Sequence, residues 1–164
     1  MPHISFSELK IWSECPFKHK LMYIDKIKGF IGNEYTAFGG AIHSVCENAL
    51  LGKLPEDDYE EYFQHVFREE LKKVPVSKPN LVIEMLSQAN RISPEVIPAV
   101  ESYFGNFEVV SVEERLFEKI ENFEDADYNF KGFIDFVAKT EDGKYHIVDW
   151  KSCSWGWDME RRND

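Results

Sequence analysis

The sequence has no long apolar run, no closely spaced cysteines and no excess of basic residues, and each absence excludes a class of protein. None of the apolar stretches in its 164 residues reaches the length of a membrane-spanning helix. Residues 1–8 do not join a basic segment to an apolar one, as a secretory signal does. The three cysteines, Cys15, Cys46 and Cys153, form no close pair. This predicts a reducing compartment such as the cytoplasm rather than a disulfide scaffold.

The charge balance is acidic, with a formal net charge of −11. This argues against a protein that coats nucleic acid through bulk electrostatics, but it leaves room for an enzyme that contacts phosphates locally. Residues 55–70 are rich in acids and are expected to form a solvated helix face, whereas residues 10–28 contain five lysines against two acids. Lys18 and Lys20 in the second segment are candidate substrate contacts, with a plain surface helix as the alternative.

Hydrophobic periodicity changes at Gly105. Before this glycine the apolar residues recur at helical spacing, and after it they alternate as in strands. With 43% hydrophobic residues, the chain is predicted to form one α+β domain over residues 1–164, in which helices pack on an antiparallel meander. The predicted parts are a helical region at 1–105, the meander at 106–152 with strands at 107–120, 129–140 and 144–152 and an acidic turn at 122–127, and a tail at 153–164.

Caps and breakers predict the helix boundaries. Ser5 can cap the backbone amide of Glu8 at the start of the first helix, and Pro16 either interrupts this helix or opens a second one. A longer helix is predicted from about Ala37, with two glycines near its start and Gly52 at its end. Amphipathic patterns predict further helices over residues 56–73 and 81–92, and a short one ends near residue 105.

The strongest local pattern is a predicted hairpin that ends in Asp149-Trp150-Lys151. Because alternate residues of a strand share a face, Asp149 and Lys151 point the same way and Trp150 points to the other side. The face of Asp135, on the preceding strand, depends on the turn between the strands. The type of turn therefore decides whether Asp135 shares a face with Asp149 and Lys151.

Two turns are compatible with the sequence of the hairpin. A two-residue turn at residues 142–143 would place Asp135 opposite Trp150, on the wrong face. A three-residue loop at residues 141–143, with the glycine in the left-handed conformation, would place Asp135 across from Asp149. We favour the second register because it gathers both aspartates and the lysine on one surface.

Two opposed carboxylates repel each other unless one is protonated or a cation lies between them. Carboxylate oxygens are hard ligands that suit Mg²⁺ or Mn²⁺. Such an ion polarises a phosphodiester and activates a bound water, and Lys151 beside it can hold that water or neutralise charge on the phosphate. An Asp-x-Lys sequence alone is more often a surface ion pair. The second aspartate across the hairpin is what points to a hydrolytic phosphodiesterase.

Five motifs occur in a fixed order along nearly the whole chain. They are Ser5-Phe6-Ser7 with Leu9, Trp12, Cys15 and Pro16; Phe38-Gly39-Gly40-Ala41-Ile42-His43; Glu114; Lys131-Gly132-Phe133-Ile134-Asp135; and Ile147-Val148-Asp149-Trp150-Lys151-Ser152. In this order the chain resembles the RecB-like branch of the PD-(D/E)XK nucleases, which includes CRISPR-associated and phage nucleases. Each motif is weak alone, and the five together, ending in Asp-Trp-Lys-Ser, are specific.

The resemblance implies a role for each residue of the hairpin motifs. Asp135 and Asp149 would be metal ligands, and the backbone carbonyl of Trp150 would add another. Lys151 would be the catalytic lysine.

The resemblance also implies roles for two residues outside the hairpin. His43 would bind the metal or the substrate phosphate, although a lone histidine near an apolar helix is more often a surface or core residue; Glu47, one turn on, could support it. The remaining acid would be Glu114 on the first strand. Strand alternation does not decide between Glu114 and its neighbour Glu113.

Some relatives bind an iron–sulfur cluster through a cysteine at the position of Cys15. Four cluster ligands cannot be assembled from three cysteines, so no cluster is expected and Cys15 is predicted to be a buried thiol. The tryptophans Trp150, Trp155 and Trp157 could stack on bases, with core or edge packing favoured for Trp150.

The chain departs from the family pattern after Lys151. Relatives continue with a helix that carries a Gln/Tyr motif and a last strand, and both are expected to be missing before Asp164. An exposed sheet edge would then favour a homodimer or a partner chain.

The predicted function is Mg²⁺- or Mn²⁺-dependent hydrolysis of DNA in replication, recombination or repair. We expect an exonuclease that acts on single strands or duplex ends, with no membrane partner. One alternative is a nuclease-derived module that binds DNA or a partner protein without cutting. Another is an acidic helical interaction domain with a purely structural hairpin.

Overall fold

A computed structural model describes residues 2–27, 29, 31–121 and 128–152. The predicted acidic turn at 122–127 and the predicted tail, with Cys153, Trp155 and Trp157, lie outside the described residues. Helices and an open mixed sheet make up the described chain, which confirms the predicted α+β class. None of the helices in these ranges combines the length and apolarity needed to cross a membrane.

The chain divides into two compact units. Unit 1 comprises Met1–Ile31 and Glu108–Val148, and unit 2 comprises Gly32–Phe107 and Asp149–Asp164. Unit 1 contains the sheet, and unit 2 contains most of the helices.

The sheet of unit 1 has the strand order β1-β3-β2, and β4 also pairs with β3. Three strands are the predicted ones, and β1 adds a short parallel partner of β3 that is too brief to show any alternation. The third predicted strand is wrong in length, because it ends at Val148 rather than at Ser152. The strands are β1 His3–Ser5, β2 Phe107–Lys119, β3 Asn129–Thr140 and β4 Tyr145–Val148.

The β3–β4 turn has the predicted three-residue loop. The Thr140 amide donates to the Lys144 carbonyl at 3.0 Å, the Gly143 amide donates to the Thr140 carbonyl at 2.9 Å, and Gly143 has a φ of 80°. The resulting ladder pairs Phe136 with Val148 at its far end. The predicted facing of Asp135 and Asp149 lies one position beyond this ladder and stays a prediction.

Two short helices follow β1 in unit 1. Helix α1, Phe6–Glu14, begins as predicted at Ser5, whose hydroxyl accepts from the Glu8 amide at 3.2 Å. The Glu8 side chain does not close the cap, because its carboxylate contacts Nε2 of His19 at 2.9 Å. Helix α2, Pro16–His19, opens at the proline and continues into a π-helical turn, Lys20–Ile24.

Cys15 lies between these two helices and is exposed, so the predicted buried thiol is wrong. Its Sγ accepts a hydrogen bond from the Lys18 amide at 3.5 Å and caps α2. A capping side chain must face the open end of a helix, which keeps this thiol out of the core.

Unit 2 is centred on helix α3, which supplies the middle of its core. Phe38 of α3 packs edge-on against Phe63 and Phe67 of α4. The helices are α3 Glu34–Leu50, α4 Tyr59–Leu71, α5 Pro79–Ile92 and α6 Val96–Phe104, with short 3₁₀ segments Glu56–Asp58 and Ser93–Glu95.

Helix α3 starts at Glu34, earlier than the predicted Ala37, and its two glycines lie inside it. Asn33 and Thr36 form a reciprocal capping box: the Asn33 side chain accepts from the Thr36 amide, and the Thr36 hydroxyl accepts from the Asn33 amide. The prediction missed this cap because it took the glycine pair as the helix boundary.

Glu34 is the one buried carboxylate among the described residues of the unit 2 core, and it ties α3 to the segment before α5. It accepts from the amides of Ser77 and Lys78 and from the Ser77 hydroxyl. The backbone amides of Glu34 itself and of Lys78 hold its pKa below the ordinary 4.5, while burial acts the other way.

This lowered pKa predicts a pH-dependent contribution to stability. The carboxylate of Glu34 stabilises the fold fully above pH 4.5, and this stabilisation is lost as the pH falls through the lower folded pKa. Thermal melts of wild type and Glu34→Gln between pH 7 and pH 3 should therefore converge on acidification. A constant difference across this range would contradict the prediction.

Ser93 is a buried hydroxyl without a hydrogen-bond partner among the described residues. Leaving such a group unpaired costs about 1 kcal/mol or more, so Ser93→Ala is expected to raise the free energy of unfolding by about 1 kcal/mol. Urea denaturation measures this change. Ser87→Ala, at an exposed position of α5, is the matched control and should change stability by less than about 0.5 kcal/mol. A lower free energy of unfolding in Ser93→Ala would contradict the assignment of Ser93 as an unpaired hydroxyl.

Candidate active site

Glu113 and Asp135 form a carboxylate pair on neighbouring strands of unit 1, with oxygens within 4.8 Å of each other. The Ile120 amide donates to the Tyr128 carbonyl at 3.0 Å, and so short a connection requires β2 and β3 to run antiparallel. As many residues separate Glu113 from Ile120 as separate Asp135 from Tyr128. This register therefore places Glu113 opposite Asp135. No pattern in the sequence alone predicted this pairing.

The backbone at Glu113 is left-handed, with a φ of 51°. A residue other than glycine rarely adopts this conformation, and inside a strand it redirects the side chain. Simple alternation therefore does not hold at this point of β2, which is why the sequence could not decide between Glu113 and Glu114. Glu114 is exposed, and the carboxylate pair is formed by its neighbour.

The donor set of the pair fits a hard divalent cation. Two carboxylates within 4.8 Å can bind one ion after a small side-chain adjustment. Without a cation, two such charges repel each other, and the strained backbone adds to the cost of bringing them together. Both costs are understandable if the pair serves a ligand.

His43 and Trp150 meet in unit 2. The Nε2 atom of His43 lies 2.8 Å from the backbone carbonyl oxygen of Trp150, and because a carbonyl only accepts, this nitrogen donates. Adjacent ligands of an octahedral Mg²⁺ ion, with bonds of about 2.1 Å, lie about 3 Å apart. The spacing of these two atoms fits ligands of one ion, which would replace their hydrogen bond.

The segment after β4 carries its charged and apolar side chains to different sides, as predicted. Lys151 donates to the Asp149 carboxylate at 2.6 Å, and both side chains are 57% exposed. Trp150 between them packs against the core of unit 2, which confirms the packing role favoured for it. The amine and carboxylate are thus held together at a surface that a substrate can reach.

Gly39, one turn before His43 in α3, allows the chain after Lys151 to come close. A Cβ at this glycine would lie 3.2 Å from the Ser152 hydroxyl. A Cβ at Gly40 would only meet Glu70 at an ordinary contact distance of 3.9 Å. The glycine before the histidine therefore has a packing role that its neighbour lacks.

The two predicted substrate lysines of unit 1 are exposed and each contacts an acid. Lys18 lies 3.7 Å from Glu14, and Lys20 lies 2.5 Å from Asp25. Exposed pairs of this kind contribute little to stability and can be exchanged for another anion. Their role in substrate binding stays a prediction.

The family comparison agrees with this geometry. The family model described as the PD-(D/E)XK nuclease superfamily matches residues 3–162 of the chain. The match covers all the motifs named above. A search of curated proteins finds no match.

Proposed function

The chain belongs to the PD-(D/E)XK nuclease superfamily, and on this premise we propose that it is a divalent-metal-dependent deoxyribonuclease. Membership indicates metal-dependent nuclease activity. The observation that carries the proposal is the carboxylate pair, in which Glu113 brings a second acid to within 4.8 Å of Asp135. A strained, like-charged pair of this kind is poorly explained by stability alone.

We assign Glu113 and Asp135 as ligands of Mg²⁺ or Mn²⁺, with Glu113 in place of Glu114. The family motifs assign metal binding to Asp149, His43 and the Trp150 carbonyl as well. Mostly oxygen donors with one imidazole suit these two ions. When bound, the ion supplies the Lewis acid and the activated water for phosphodiester hydrolysis.

We assign Lys151 the catalytic role, which needs a positive charge placed where a substrate phosphate can reach it. Its ammonium group is held at 2.6 Å by Asp149 and is exposed enough to reach a substrate phosphate. Hydrogen bonds from this group to a non-bridging phosphate oxygen, or to the attacking water, become stronger as negative charge develops in the transition state. Asp149 keeps the lysine oriented before substrate binds.

Finer assignments rest on the order of the motifs. The Gly39-to-His43 element together with Asp149-Trp150-Lys151-Ser152 supports placement in the RecB-like branch, with exonuclease action at single-stranded DNA or duplex ends. A role in replication, recombination or repair, a phage source and a cytoplasmic location are consistent with that branch. Pairing of a second copy along the edge strand β2 is the corresponding proposal for a homodimer.

The proposal is tested by incubating the purified chain with end-labelled single-stranded DNA and Mn²⁺ or Mg²⁺. Cleavage should require the ion and stop with EDTA. A circular single strand should resist cleavage, because an exonuclease needs an end. Binding without cleavage in either ion would favour the non-cutting module instead.

The two adjacent glycines of α3 give a matched pair of variants. Gly40→Ala should raise the free energy of unfolding by about 0.5 to 1 kcal/mol, because alanine favours a helix. Gly39→Ala should lower the cleavage rate by roughly tenfold, because its Cβ displaces Ser152 and the segment that carries Lys151. Thermal melts and initial rates measure the two effects. Equal rates in the two variants would show that the close contact has no functional role.

A further inference from the structure

Unit 2 contains a cavity of about 410 Å³ between α3, α5 and Ser152, which follows Lys151 in the chain. Buried Phe38 and Met85 form its floor, and half-buried Tyr35 and Leu81 line its wall. Its size falls in the range of small-molecule sites. A flat, apolar ring system fits such a floor and wall.

The rim of the cavity is polar. Glu84, Gln88 and Arg91 are exposed residues on one face of α5, at helical spacing. Together they offer a carboxylate acceptor, an amide that both donates and accepts, and a guanidinium donor. These are the groups that recognise the edge of a heterocyclic base.

Positive charge lies beside this cavity although the chain as a whole is acidic. Arg91 is on the rim, and the Nζ atom of Lys78 lies 5.3 Å from the centre of the Tyr35 ring. Cations next to an aromatic and apolar surface are the combination that binds single-stranded nucleic acid.

Ser152 connects the cavity to the chemistry. It lines the cavity and directly follows Lys151 in the chain, so the two Cα atoms are about 3.8 Å apart. A strand whose phosphate contacts Lys151 therefore has a neighbouring base within reach of the cavity.

We propose that this cavity holds one unpaired base of the DNA strand next to the phosphate that is cut. The inference rests on the proposed function, and it defines the substrate class as single-stranded DNA or a frayed end. Bases of an intact duplex are paired and stacked, so entry into the cavity would require one to flip out.

The test measures binding in EDTA, where no cleavage occurs. The probes are a short fluorescein-labelled oligothymidylate, an abasic chain of equal length and a blunt duplex, and the readout is fluorescence anisotropy. Wild type should bind oligothymidylate at least about fivefold more tightly than the abasic chain. Arg91→Ala and Gln88→Ala should each weaken binding of oligothymidylate by a similar factor and leave binding of the duplex unchanged.

Arg68→Ala is the matched control, because it removes the same charge as Arg91→Ala. Arg68 is exposed on α4 and lies outside the cavity lining. If the two cavity variants bind oligothymidylate as the control does, or if wild type binds the abasic chain equally well, the inference is overturned. Loss of cleavage in wild type with the expected binding pattern would remove the proposed nuclease function alone. Normal cleavage without the binding pattern would remove the cavity assignment alone.

Discussion

Lys151→Ala is expected to lower the rate of DNA cleavage by about 100- to 1000-fold, because the substitution removes a preorganised donor from the charge that develops on the phosphate. The side chain is largely exposed, so its removal should change the free energy of unfolding by less than about 0.5 kcal/mol. Single-turnover cleavage with Mn²⁺ measures the rate, and urea denaturation measures the stability. Substrate binding should change far less than the rate.

The chain contains a matched control for this variant. Lys144 also lies two residues after an aspartate and pairs with it, at 2.5 Å from Asp142, on the β3–β4 turn. Lys144→Ala removes the same charge from the same kind of ion pair and should leave the cleavage rate unchanged. Equal rates in Lys151→Ala and Lys144→Ala would rule out a catalytic role for Lys151.

The second large effect is expected on metal binding by the carboxylate pair. Asp135→Asn and Glu113→Gln should each weaken Mn²⁺ binding by at least about tenfold, since each removes a charged oxygen ligand. Titration calorimetry measures the affinity. Glu114→Gln is the control, because it makes the same change one residue along β2 at an exposed position. Normal affinity in Glu113→Gln with reduced affinity in Glu114→Gln would exchange the two assignments.

A glycine substitution at Glu113 tests whether this residue serves metal binding or stability. Glycine adopts the φ of 51° at this position freely, so Glu113→Gly should leave the free energy of unfolding unchanged or raise it by up to about 1 kcal/mol. The same variant should weaken metal binding. A residue kept for stability would show the opposite result. Denaturation without added metal is the appropriate measurement.

Features of the hairpin and of the first helix that depend on residues close in the chain could be predicted from the sequence. Local turn chemistry left two turns open at the hairpin, with Gly143 able to close the three-residue loop, and the choice between them rested on gathering Asp135, Asp149 and Lys151 on one surface. The same local rules predicted the start of α1 at Ser5 and the inward side of Trp150. These features depend on neighbours in the chain, which a sequence displays directly.

Features set by distant parts of the chain were missed. Glu113 is turned towards Asp135 by a left-handed backbone inside a strand, and no propensity rule anticipates such a strained residue. The strand that begins at Tyr145 was predicted too long, because the chain leaves the ladder after Val148 and Trp150 packs against the core of unit 2. One local feature was missed as well: Cys15 was predicted to be buried once an iron–sulfur cluster had been excluded, although its position between two helices makes it a cap.

The central claim is that an ion held by the acids of this chain contacts the scissile phosphate. The most direct test is cleavage of single-stranded DNA with one phosphorothioate of defined stereochemistry, measured with Mg²⁺ and with the softer Mn²⁺. For one stereoisomer, sulfur should strongly slow cleavage in Mg²⁺, and Mn²⁺ should restore the rate. Cleavage that persists in EDTA, or an equal sulfur effect with both ions for both stereoisomers, would contradict the account.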